Sequence, residues 1–203
     1  MVRKYEDLNA LKVFNRLFFD YMKNHSNCWI AGGCLRDYFA GQYFRSDIDV
    51  FFPNEKEFKG AYDYFSKDYH KRDSRLVFED KKHTVFEIDK TRYDLVKMFF
   101  SSPEDTISQF DFTACSVAID RVNIYHHERF FIDLAKRRLV INKLPYPLST
   151  LQRLQKYIKK GYTICNGGLL EIARAISGID LNDKAENIFE FYPDGTPKFT
   201  RID

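Results

Sequence analysis

Apolar residues recur every three or four positions at Leu8, Leu11, Phe14, Leu17, Phe18, Tyr21 and Met22. That spacing lays one stripe along a helix and predicts an amphipathic helix over residues 6–23. The period then changes. Cys28 to Ala31 is a short apolar run that reads as a strand, and Gly32-Gly33 breaks it. A helix opens with Leu35-Arg36-Asp37, and a second strand carries Asp47 and Asp49 on its way to Phe52. Pro53-Asn54 sets a cap, and residues 55–68 predict a helix with Phe58, Ala61, Tyr62 and Phe65 inward. Arg75 to Phe78, Thr84 to Ile88 and Arg92 to Phe99 read as strands, the last two joined as a hairpin at Asp89-Lys90. Ser102 caps the next helix, with Pro103 in its first turn. Phe112 to Ile119 is apolar enough for a buried element, and Arg138 to Ile141 for a last short strand.

From Leu148 the period is helical again. Residues 148–162 and 169–178 predict two helices, and residues 189–203 a loosely docked tail. The change of composition near Asn142 to Pro147 places a boundary there, giving units 1–143 and 144–203.

The chemistry concentrates in the first unit. Side chains alternate along a strand, so Asp47 and Asp49 face the same way and can hold the same divalent cation. Asp-x-Asp is common by composition; its context is not. A strand, Gly32-Gly33, Arg36-Asp37, Gly41 and then the acidic strand follow in order. Glycines between a strand and a helix let backbone amides approach a phosphate. Asp94 interrupts an otherwise apolar strand, TRYDLVKMF, at a cost in stability unless the charge has a partner. A third carboxylate is what a pair of metal ions needs in order to activate an attacking hydroxyl. Asp94 is the candidate, with Glu87 as the alternative; a solvent-facing carboxylate at a sheet edge is the plainer role for Asp94.

AGGCLRDYFAG followed by SDIDVFF resembles the head-domain signature of the tRNA nucleotidyltransferase and poly(A) polymerase family, within the polymerase-beta-like nucleotidyltransferase superfamily. The resemblance implies an α+β fold: a mixed sheet flanked by helices in a head domain over 1–143, with a short helical neck-like segment over 144–203. It implies transfer of an NMP from an NTP to an acceptor hydroxyl, with pyrophosphate released. Two Mg2+ ions, or Mn2+ in their place, would be held by Asp47, Asp49 and Asp94. Gly32 and Gly33 would present amides to the phosphates. Arg36 would bind a triphosphate oxygen or pair instead with Asp37; Arg45 is a weaker phosphate candidate. QFDFTACS keeps the Asp-Phe-Thr of a family motif, which implies a ribose contact for Asp111. Gln109 and Phe110 stand where the family has arginines, and Cys115-Ser116 replaces Asn-Ala.

The resemblance weakens in the second unit. YPLSTLQRLQKYIKKGYTI is similar to the neck helix, but Tyr146, Ser149, Gln152 or Gln155 occupy its acidic and arginine positions. Those side chains template the base in the family, so CCA addition as such is not expected. The acceptor read from the sequence is the 3′ end of an RNA, such as a tRNA. The alternatives are a protein or small-molecule hydroxyl, or a degenerate nucleotide- or RNA-binding module.

Composition narrows this little. A chain of 203 residues, 44% hydrophobic, can bury one good core and a smaller appendage. With 32 basic and 29 acidic residues the net charge of +3 does not by itself argue for nucleic acid. Arg153, Lys156, Lys159 and Lys160 give one helix a basic face, which guides an RNA backbone or is simply solvated. Cys28, Cys34, Cys115 and Cys165 lack zinc-ligand spacing and fit reduced thiols in the cytoplasm. His126-His127 reads as a solvent-facing loop. The N-terminus is too polar for a signal peptide, and no run is long enough to span a membrane.

Overall fold

A computed structural model describes residues 1–6, 27–42, 47–66, 74–88 and 90–179, with a short antiparallel backbone pairing of Glu190–Phe191 and Pro197–Lys198. The chain divides into two compact units, Met1–Lys143 and Leu144–Asp203. Nearly all of the helix predicted over 6–23, together with Arg45, Asp89 and most of the tail, lies outside the described residues.

The first unit is α+β, built on one mixed sheet. Its strands are β1 (Val2–Glu6), β2 (Trp29–Ala31), β3 (Ile48–Phe51), β4 (Ser74–Glu79), β5 (His83–Ile88), β6 (Thr91–Val96), β7 (Val117–Ile119) and β8 (Asn123–His127). They lie in the order β1-β8-β7-β2-β3-β6-β5-β4. Neighbours run antiparallel except β3 and β6, which are parallel. The predicted strand, glycine break, helix and acidic strand are β2, α1 (Gly33–Phe39) and β3.

Alternation in β3 and β6 gives the two faces different work. Ile48 and Val50 are buried on one face with Tyr93 and Leu95 of the neighbouring strand. Helix α2 (Glu55–Ser66) contributes to that layer: Phe65 packs on Phe86 and Tyr93, and Phe58 on Phe52. On the opposite face Trp29, Ala31, Phe51, Val96, Ile107, Ala118 and Tyr125 form a core cluster, with Phe110 packed against it. Helix α3 (Pro103–Ser108) lies there against β2, β7 and β8. The hydroxyl of Thr106 accepts the Trp29 indole N–H at 2.9 Å, so the buried ring leaves no polar atom unsatisfied. Burying one such large side chain contributes about 1.5–3 kcal/mol.

Two strands escaped the hydrophobic pattern. Val2–Glu6 is mostly exposed along its length and takes its extended form from pairing with β8. His126 was expected in a solvent-facing loop; it is instead a buried residue of β8, with Nδ1 at 2.8 Å from the carbonyl of His127 and its ring edge-on to Phe131. A histidine with its polar atom satisfied packs as an aromatic, which a polarity pattern misses. The 3-10 turn Thr113–Cys115 and helix α4 (Phe130–Ala135) complete the unit, with strand β9 (Arg138–Leu139) after them. Asp133 of α4 is fully buried, and its carboxylate accepts from Thr113 Oγ1 at 2.7 Å, Arg138 Nη2 at 2.6 Å and Arg129 Nε at 3.2 Å.

The second unit contains α5 (Pro147–Lys159) and α6 (Asn166–Ser177), packed on each other. Pro147 opens α5, where its missing N–H costs nothing. Leu154 and Tyr157 are buried, Tyr157 against the ring of Tyr162 at 5.8 Å. No helix among the described residues is long and apolar enough to cross a membrane.

Candidate active site

Strands β3, β6 and β5 lie side by side, and the register of their ladders decides which side chains meet. Asp49 and Asp94 are direct partners across the parallel pair. They therefore share a face, on strands about 4.8 Å apart. Across the antiparallel pair, Val85 stands opposite Asp94 and His83 opposite Val96, so His83 joins them on that face one diagonal step away. Its Nδ1 lies 2.7 Å from Asp94 Oδ2. An ionised carboxylate only accepts, so Nδ1 carries the proton and donates. The hydrogen bond to Asp94 raises the His83 pKa above its ordinary value against the opposing effect of burial, and the charges of Asp80 and Asp49 add to the rise.

The other Asp94 oxygen is different. The side chain is 14% exposed, and Oδ1 is buried with no hydrogen-bond partner among the described residues. A buried carboxylate oxygen left unsatisfied costs free energy until something positive reaches it. With Asp49 beside it, the donor set is hard oxygen, the set that suits Mg2+. These residues fit the implied cation, though they are not gathered into a ready-made cage. Among the described residues no group of three or more His, Cys, Asp or Glu side chains stands close enough together to hold an ion. Where the sequence predicts a converged trio, the structure shows the Asp49–Asp94 pair, with Asp47 exposed just before β3. Glu87, the alternative third carboxylate, accepts from Arg75 at 2.7 Å and from Arg92 at 3.5 Å; the Arg75 bond leads in holding its pKa below the usual value.

Gly32 forms the floor beside this pair. Its φ is +88°, a conformation that side chains rarely adopt, and a Cβ built there would lie 3.7 Å from Asp49 Oδ2 and 3.5 Å from the Phe110 ring. The amide of Gly32, expected to face a phosphate, instead donates to the Val117 carbonyl at 3.0 Å. Gly33 begins α1, where first-turn amides have no partner within the helix. Arg36 had two roles open to it, and pairing is the one seen. It is buried, with Nε and Nη2 both on Asp37 Oδ1 and Nη1 3.8 Å from Cys115 Sγ. Cys34, also buried, has its thiol pKa pushed far up by burial and then by the charge of Asp49.

Asp111 sits next to Phe110 in a pinned segment. Its Oδ1 accepts from the Phe112 amide at 3.0 Å, and its carbonyl accepts from the Asn142 amide at 2.7 Å. Asn142 Nδ2 donates to the Phe110 carbonyl at 2.9 Å. The Phe110 ring also lies 6.0 Å from that of Phe51, so an aromatic lines the floor where the motif's relatives place an arginine. Sequence reasoning registered Phe110 only as a departure and passed over His83, which no linear spacing ties to Asp94.

Comparison with known proteins supplies the rest. The chain resembles, in fold, the CCA-adding enzymes. A CCA-adding enzyme in complex with ATP superposes with a TM-score of 0.63 at 17% identity, over 87% of this chain and 46% of the other. The Thermotoga maritima CCA-adding enzyme complexed with tRNA gives 0.61 at 15% identity, over 87% and 46%. The Bacillus stearothermophilus enzyme in complex with CTP gives 0.55 at 17%, over 84% and 44%. Likeness at this identity shows the polymerase-beta-like nucleotidyltransferase fold and no more. In sequence, the chain is 27% identical over 161 residues to the protein Gabija anti-defense 2 of Bacillus phage SPbetaL7, covering 77% of this chain and 39% of that protein. The chain thus spans about two fifths of the length of that curated relative. The fold of the tRNA nucleotidyltransferases is present, but the family is another one. Residues 4–137 match the family described as Gabija anti-defense 2 family protein, and the chain belongs to that family.

Proposed function

We propose that this chain is a nucleotidyltransferase that moves an NMP from an NTP to an acceptor hydroxyl. The observation that carries the reading is the in-register Asp49–Asp94 pair, with Asp94 Oδ1 buried and without a partner among the described residues, on a nucleotidyltransferase fold. Asp47, Asp49 and Asp94 would hold the Mg2+ ions, which when bound lower the pKa of an acceptor hydroxyl and offset the charge of a leaving pyrophosphate. The remaining parts belong to the chain itself. Gly32 keeps the space over Asp49 free of a side chain. Gly33 offers a first-turn amide to a phosphate oxygen. Arg36, held by Asp37, fixes the start of α1. Asp111 serves the ribose, and the Phe110 ring excludes water beside Asp49. In the transfer the α-phosphorus gains a bond to the acceptor oxygen and loses its bond to pyrophosphate, and the hydroxyl proton goes to solvent.

The acceptor is an RNA 3′ end, a reading supported by tRNA in a structural neighbour and by Arg153, Lys156 and Lys159 along α5. A second reading places the hydroxyl on a protein, and the family description favours it: a nucleotide attached to a component of the Gabija defence would act against that defence. Incubation with each α-phosphate-labelled NTP, Mg2+, an RNA pool and candidate acceptor proteins separates the two. Label is expected on RNA; label on a protein selects the second reading. Nucleotide binding with no pyrophosphate released would reduce the chain to a binding module and overturn both.

A further inference from the structure

His83 lies outside every motif, yet its placement is elaborately fixed. It begins β5 at the end of a tight connection from β4. Asp80 Oδ1 accepts from the amides of both Lys82 and His83 at 2.7 Å, and the Asp80 amide donates to the His83 carbonyl at 2.9 Å. Lys97 clamps the same turn, with Nζ 2.8 Å from the Asp80 carbonyl and 2.8 Å from Glu79 Oε1. The imidazole delivered by this turn reaches Asp94 from the β5 side, and β3 with Asp49 lies on the other side of β6. Its bond occupies Oδ2 alone and leaves Oδ1 as the buried, unpartnered oxygen. Carboxylates that hold metal ions are themselves commonly held by such a neighbour, which fixes the rotamer before the ion arrives.

We propose that His83 is a positioning residue: by donating from Nδ1 to Asp94 Oδ2 it orients the carboxylate so that Oδ1 is presented, together with Asp49, to a divalent cation. This rests on the carboxylate pair being the cation site, as proposed above. His83 does not touch substrate and acts only through Asp94.

The test is Mn2+ binding to the purified chain, followed by electron paramagnetic resonance without NTP or acceptor, so that no turnover is needed. Replacing the partner of a metal-holding group costs about 10- to 100-fold in metal affinity. His83→Ala is expected to weaken Mn2+ binding by that factor. His83→Asn, whose side-chain amide can donate from nearly the position of Nδ1, is expected to return to within a few-fold of the parent. Asp94→Asn is expected to abolish high-affinity binding. Thermal melts accompany each variant, because a purely structural role would lower the melting temperature and leave the affinity unmoved. Parent-like affinity in His83→Ala, with binding lost in Asp94→Asn, overturns the positioning role while leaving the cation site standing. Parent-like affinity in Asp94→Asn, or no saturable binding by the parent chain, overturns the cation site and this role with it. If His83→Ala does not fold, His83→Asn and His83→Leu decide: equal affinities overturn the proposal, and weaker binding by His83→Leu alone supports it.

Discussion

Two aspartates in the same unit live under opposite conditions. Asp133 is wholly enclosed, and its carboxylate is matched by Thr113, Arg129 and Arg138, so every charge taken from water is compensated. Asp94 has one oxygen on His83 and the other, buried, without a partner among the described residues, with a second carboxylate next door on β3. The first arrangement is what a buried charge needs to hold a fold together. The second makes no sense as architecture and becomes sensible once a cation is expected. Under the proposed function, the contrast is between a carboxylate that serves stability and one that would hold a cation.

The variants that sharpen this contrast rank by their effect on stability. Removing both cations from Asp133, as Arg129→Ala with Arg138→Ala, strands a buried charge and should cost about 3–5 kcal/mol, read from the midpoint of urea unfolding. Gly32→Ala forces a side chain into a backbone conformation at φ +88° and should cost about 1–3 kcal/mol in the same measurement. A pH titration of stability gives a further separation. Burial alone would raise the Asp133 pKa, but the bonds from Thr113, Arg138 and Arg129 together hold it below the usual carboxylate range. A depressed pKa contributes stability that is complete above the unfolded-state value of ~3.9 and is lost as pH falls through the folded value. Unfolding profiles between about pH 5 and pH 2 should therefore show an acid limb that flattens when the two arginines are removed, because the folded Asp133 pKa then no longer lies well below the unfolded one. Smallest of all, Asp94→Asn should leave the melting temperature level or slightly raised, because it removes repulsion from Asp49 and strands no charge. A large loss there would put Asp94 in the same class as Asp133 and erase the contrast.

Much of this frame was legible before any coordinates. Short apolar runs broken by Gly32-Gly33 marked β2, α1 and β3, since a glycine pair punctuates a strand wherever the backbone must turn sharply. The β5–β6 hairpin followed from two apolar runs separated by a turn, and Asp94 stood out because charge is rare in such a run. What stayed hidden depends on partners distant in sequence. β1 has little apolar signal because most of its side chains are exposed and only pairing with β8 makes it a strand. α4 is six residues long, too short for a helical period to register. The Asp133 cluster draws on residues 113, 129, 133 and 138, a set that no motif contains. His83 is separated from Asp94 by 11 positions, and only the antiparallel register brings them to 2.7 Å. At Gly32 and Arg36 the motif marks where a group sits, while its bonding depends on distant or neighbouring partners: the Gly32 amide is on the Val117 carbonyl, and Arg36 takes the Asp37 pairing that the sequence had left open.

The central claim is that the Asp49–Asp94 pair performs nucleotidyl transfer, and its most direct test is transfer of label from an α-phosphate-labelled NTP by the parent chain and by Asp49→Asn, with both confirmed folded by their melting curves. The account predicts label on an acceptor with the parent and a loss of at least about 100-fold with the variant, the scale for removing a group that stabilises charge in the transition state. Transfer undiminished in a folded Asp49→Asn protein would contradict it.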